Sequence, residues 1–106
     1  MLVLVFTPQR SWFEDFCREL HLTAAPALTR EKRPDSLTIQ GIRFQWGGDS
    51  VDRLRGLANV HYVIRPYAWQ LKNWGEMRTF IRHREVTAGW KPFPSTFFGD
   101  LTQKHF

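Results

Sequence analysis

The chain has 106 residues, of which 15% are aromatic and 24% charged, and its formal net charge is +5. That length holds one small domain around one core, and the aromatic content excludes a disordered or low-complexity chain. The single cysteine, Cys17, excludes an internal disulfide framework and a cysteine-rich zinc site, and the longest apolar run, Leu2 to Phe6, is too short to span a membrane. No basic segment precedes that run, so it does not read as a secretory signal, and a reducing, cytoplasmic setting is expected.

Leu2 to Phe6 is continuous, apolar and rich in branched residues, the pattern of a strand buried on both faces in a parallel-type sheet. Thr7-Pro8 ends it. A helix follows, started either by a capping box at Ser11-Trp12-Phe13-Glu14 or by Thr7 as cap with Pro8 in the first turn. Trp12, Phe13, Phe16, Cys17 and Leu20 form its apolar stripe, which makes Cys17 a small buried hydrophobe rather than a ligand. Residues 21–35, punctuated by Pro26 and Pro34, read as a loop. Leu37 to Gln40 and Gly41 to Trp46 alternate with period two about Gly41, which predicts a hairpin. A short helix is expected over Val51 to Leu57, capped by Asp49 or Ser50. Val60 to Ile64 reads as a second buried strand, stopped by Arg65-Pro66. A longer helix is expected from Trp69 or Gln70 to Arg84. Residues 85–106, with Gly89, Pro92, Pro94 and Gly99, read as an irregular aromatic tail. The expectation is therefore a single small α/β domain over residues 1–106. It has a layered sheet of two buried parallel-type strands plus a hairpin, with three helices and an aromatic tail.

The stretch VLVFTPQRSWFEDFCREL resembles the strand-Thr-Pro-helix segment that follows the phosphate-binding helix in large terminase subunits and helicase-type P-loop ATPases. IQGIRFQWGGDSVDRLRGLANVHYVIRPYAW resembles their next block, a glycine-turn hairpin, a short helix ending Leu-Arg-Gly, and a strand. The resemblance covers roughly residues 2–75, and Leu54-Arg55-Gly56 is its most specific piece. It implies a nucleotide-binding type of fold, and the departures then matter. Those ATPases carry a glycine-rich loop ending in Lys-Ser or Lys-Thr. Here Gly47-Gly48 is followed by Asp49-Ser50. They end the later strand in an acidic pair that holds the metal and polarises water. Here Pro66 and Tyr67 stand at those positions, and no carboxylate lies between Asp52 and Glu76. The resemblance thus implies a stripped relative of phage or mobile-element type that is not an enzyme, carries no cofactor or metal, and is kept as a binding surface.

The positive charge is unevenly placed. Residues 1–60 carry eight Lys/Arg against seven Asp/Glu, whereas residues 61–106 carry seven against three. Arg43, Arg53, Arg55, Arg65, Lys72, Arg78, Arg82, Arg84 and Lys91 are the candidate contacts to a nucleic acid, with Tyr67, Trp69 and Trp90 interleaved among them. Cations for phosphates beside rings for bases are what such a surface requires. The competing reading is a solvated helix face with its rings in the core. A second functional class is a protein-binding inhibitor or adaptor that uses Trp90, Phe93, Phe97 and Phe98 of the tail as anchors. His21, His61, His83 and His105 show no metal-ligand spacing.

Overall fold

The computed structural model describes residues 1–24 and 36–94. Of the loop expected at 21–35, residues 21–24 are instead helical, because the helix begun before them runs on to Ala24; residues 25–35 and the tail rings Phe97 and Phe98 lie outside the described residues. The chain forms a mixed five-stranded sheet with two α-helices. The strands are β1 (Leu2–Phe6), β2 (Ser36–Ile39), β3 (Ile42–Trp46), β4 (His61–Ile64) and β5 (Lys91–Pro92), in the spatial order β2-β3-β1-β4-β5. The helices are α1 (Arg10–Ala24) and α2 (Trp74–Thr87). No helix among the described residues is long and apolar enough to cross a membrane.

The apolar run of β1 takes the centre of the sheet, parallel to β3 on one side and to β4 on the other. Its side chains alternate between two cores. Val3 and Val5 pack with Phe13, Phe16, Cys17 and Leu20 of α1 and with Ile39 and Phe44. Leu4 and Phe6 pack with Met77 and Ile81 of α2, together with Val51, Leu54, Val60, Leu71 and Trp90. A slip of one residue would exchange the two sets, so the volumes on the two faces hold the register.

The hairpin forms as expected, with β2 antiparallel to β3. Gln40 and Gly41 both have positive φ, 53° and 78°, as a two-residue turn between strands requires. Gly47, just past β3, lies against the face of β1. A Cβ there would collide with the Phe6 ring, a side chain held in the core. Gly47→Ala is therefore expected to destabilise the fold by about 1–3 kcal/mol, through overpacking. Urea denaturation of the variant against the parent checks this.

Four further expectations are corrected. The helix expected at 51–57 is a single 3-10 turn, Val51–Leu54, in which Ser50 Oγ accepts from the Asp52 amide. Residues 47–60 must carry the chain from β3 across β1 to β4, about two strand spacings, and Gly56 is a poor helix residue. The described residues thus hold two α-helices where three were expected. The later helix begins at Trp74, because Ala68–Gln70 forms a separate 3-10 turn and Leu71 then runs extended. Its far end continues to Thr87, and the chain reverses at Gly89 (φ 68°). The residues expected to be irregular from 85 onward instead supply the last turn of α2 and the edge strand β5, parallel to β4. The Lys91 amide donates to the Val60 carbonyl (3.1 Å) and the Phe93 amide to the Tyr62 carbonyl (2.9 Å). At the other end of the chain, α1 starts at Arg10, so Ser11 lies inside it and does not cap it. The buried Thr7 donates through Oγ1 to the Gln9 carbonyl at 2.6 Å.

On β4, the Tyr62 hydroxyl donates to Glu85 of α2 at 3.0 Å. Burial, and then the hydrogen bond and charge of Glu85, raise this phenol above its ordinary 10.0. A group whose folded value is raised stabilises the fold fully below its unfolded value and loses that contribution as pH rises through the folded one. Stability is therefore expected to fall above about pH 10, and Tyr62→Phe should flatten that decline in urea melts taken across the alkaline range.

Candidate binding site at the carboxyl edge of the sheet

β1 and β4 are neighbours and parallel, but the chain leaves them in opposite directions. From β1 it passes through α1 towards β3, and from β4 it passes through α2 towards β5. Divergence of this kind opens a crevice outside the carboxyl ends of the two strands, the place where open α/β sheets bind ligands. Such a crevice is present here, with a volume of about 170 Å³. Thr7 and the α1 residues Trp12, Asp15, Phe16 and Glu19 line it from one side. Arg65, Pro66 and Tyr67 line it from the other. The Arg65 amide donates to the Phe6 carbonyl at 3.0 Å, which continues the β1–β4 ladder to the crevice.

Three aromatic side chains stand out from this edge. Trp12 is 41% exposed, Tyr67 53% and Trp69 65%. Trp12 meets Tyr67 edge to face at 5.8 Å between ring centroids, and Tyr67 meets Trp69 at 6.4 Å with the planes inclined by 50°. They form one continuous shelf. Tyr67 sits in the left-handed region (φ 67°, ψ 10°), which is uncommon for an aromatic residue. Its neighbours Pro66, with fixed φ, and Ala68, which is buried, hold the backbone there. Strain of this kind clusters at binding sites.

The electrostatics of the rim are asymmetric. Glu14 pairs with Arg10 (3.7 Å) and Asp15 with Arg18 (2.9 Å); Glu19 is also partnered. Arg65 has no carboxylate partner among the described residues, and its guanidinium lies over the Phe16 ring at 5.0 Å. The crevice is thus lined by the two partnered carboxylates Asp15 and Glu19 and by Arg65, whose charge lies against a ring.

The nine cations grouped from sequence do not converge on one surface. Arg65 lies on the α1 side, over Phe16. Arg84 donates to the Arg55 carbonyl and lies over Phe80, while Arg55 pairs with Asp52 at 3.0 Å, so Arg55 and Arg84 meet on the α2 side. Lys72, Arg78 and Arg82 are exposed on α2 and just before it, Arg53 on the 3-10 turn, Arg43 on β3, and Lys91 on the edge strand. Of the tail rings, Trp90 is 2% exposed and belongs to the core beneath α2, so it is no surface anchor. Phe93 is half-buried, edge-on to Phe44 at 5.7 Å and to His61 at 6.1 Å.

Trp12 is the site residue that sequence reasoning missed, because its place in the α1 stripe assigns it to the core. A signal was present. Phe13, Phe16, Cys17 and Leu20 already complete a stripe at i, i+3, i+4 and i+7, which leaves Trp12 surplus to the core. Among the described residues, no three His, Cys, Asp or Glu side chains gather as a metal site.

No protein-family model, curated protein or solved structure matches this chain. Function is therefore inferred from the shelf and the crevice themselves.

Proposed function

We propose that this protein is a non-catalytic module that binds single-stranded nucleic acid on the Trp12–Tyr67–Trp69 shelf, alone or as part of a nucleic-acid-processing machine. The observation that carries the reading is the three contiguous exposed rings at the carboxyl edge of β1 and β4, beside Arg65, which has no carboxylate partner among the described residues. Stacking of bases on rings is sequence-tolerant, and nearby cations hold the backbone. The net charge of +5 favours an anionic partner. A phage or mobile-element origin, action in the host cytoplasm, and descent from a terminase or helicase-type ATPase that lost its phosphate loop belong to the same proposal.

The second reading is a docking surface for a protein. Trp, Tyr and Arg are the residue types enriched in binding hot spots, and the shelf holds all three. With Trp90 in the core, that reading too moves from the tail to the shelf.

The test is an intrinsic-fluorescence titration of the full chain with a single-stranded oligonucleotide and with the matching duplex, at several salt concentrations. Micromolar binding of the single strand is expected. It should weaken with salt at a log–log slope of about −0.7 per phosphate neutralised, with weaker binding of the duplex. Equal affinity for both forms would overturn the stacking reading, and no binding to either would leave the protein-docking reading in its place.

A further inference from the structure

We infer that the shelf takes three consecutive nucleotides in an extended, unstacked form, one base on each ring. The inference rests on the single-strand reading and adds to it the length and conformation of the bound strand.

The spacing of the rings sets that conformation. Tyr67 is the middle of the row, 5.8 Å from Trp12 and 6.4 Å from Trp69 between centroids. Neighbouring nucleotides of a stacked helical strand are about 3.4 Å apart along the axis. The rings stand nearly twice as far apart. Their planes are also inclined, by 68° for the first pair and 50° for the second, whereas stacked bases are parallel. Two bases lying flat on neighbouring rings therefore cannot remain stacked on each other. A sugar-phosphate unit drawn out straight spans such a gap, so consecutive nucleotides reach consecutive rings. Each base exchanges its stacked neighbours for an aromatic face, an exchange open to any base because every base has a π-face.

The fold holds the spacing. Trp12 is carried on α1. Tyr67 and Trp69 flank the buried Ala68 in a turn tied by backbone hydrogen bonds. The Ala68 amide donates to the Arg65 carbonyl (3.1 Å), the Gln70 amide to the Tyr67 carbonyl (2.9 Å), and the Leu71 amide to the Ala68 carbonyl (2.9 Å). The backbone that bears the rings is thus in place before a strand arrives, which lowers the ordering cost of binding.

The experiment varies the bases while holding the phosphate charge constant. Six-nucleotide strands carry one, two, three or four adjacent thymines, with every other position abasic, and are titrated into the full chain. Affinity is expected to rise at least about fivefold with the second base and again with the third, and less than about twofold with the fourth. Trp69→Ala and Trp12→Ala each remove an exposed end of the row, and each should move the break from three bases to two. In parallel, an adenosine trimer, whose bases stack in solution, is followed to saturation by circular dichroism with the protein spectrum subtracted. Its stacking band should lose most of its amplitude. A band that survives saturation, an affinity that levels off at one base or climbs evenly through four, or a break that stays at three in both variants would overturn the inference and leave the single-strand reading standing. Failure of every strand to bind, a long homothymidine included, would remove both.

Discussion

Trp90→Ala is expected to lower the unfolding free energy by about 3–5 kcal/mol, the cost of truncating a buried aromatic residue to alanine. Small domains are stable by only about 5–15 kcal/mol, so the variant should be largely unfolded in moderate urea. Trp90 is 2% exposed and packs with Leu4 and Phe6 of the central strand and with Met77 and Ile81 of α2. Its ring stands edge-on to Phe80 at 5.7 Å, and Nε1–H donates to the Leu57 carbonyl at 3.0 Å. Alanine would lose the volume and leave that part-buried carbonyl without its donor. Trp90→Phe separates the two contributions, because it restores most of the volume and forfeits only the hydrogen bond, about 1 kcal/mol. Circular dichroism during urea unfolding reads both variants without relying on the fluorophore that was removed. A chain ending at Thr87, which lacks Trp90 and β5, should fail to fold for the same reason. Folding of that shortened chain would contradict the place given to Trp90.

The double substitution Trp12→Ala, Trp69→Ala is expected to lower single-strand affinity by at least about thirtyfold, from about 1–3 kcal/mol for each stacked base. Both rings are substantially exposed. Within the fold each meets Tyr67, and those two ring pairs are together worth about 1–3 kcal/mol. Thermal melting should therefore fall by several degrees while the variant still folds. The contrast is with Arg78→Glu, Arg82→Glu on the exposed side of α2. Those charges make no ring contact with the shelf, so the variant should lose only a few-fold in affinity and show a shallower salt slope. If the α2 pair abolished binding while the tryptophan pair left it intact, the binding surface would lie on α2 instead. Fluorescence anisotropy of a labelled oligonucleotide measures both variants on one scale.

What could be read from the sequence were the features that local pattern encodes. The unbroken run Leu2 to Phe6, the alternation of Ile42, Phe44 and Trp46, and the stripe Phe13, Phe16, Cys17, Leu20 each announce their element, and each appears in the fold. Features set by long-range pairing were hidden. β5 has two residues, one of them proline, and exists only because Val60, just before β4, and Tyr62 within it offer their carbonyls. The 3-10 turn at Val51–Leu54 replaces a helix because the path from β3 to β4 is short. The crevice was least legible of all. Arg65, Tyr67 and Trp69 stood out as a cation beside rings, but Trp12 lies more than fifty residues away in sequence. It joins them only because β4 pairs with β1 rather than with β3.

The central claim, that a single strand is held by the shelf at the carboxyl edge of β1 and β4, has a direct reporter in the indole N–H signals of the five tryptophans. In a nitrogen-15 correlation spectrum titrated with homothymidine, the signals of Trp12 and Trp69 are predicted to move together and saturate with the strand. Those of Trp46 at the end of β3 and Trp90 in the core should stay in place. Shifts at Trp74 on α2 with none at Trp12 and Trp69, or no shifts at all, would contradict the account.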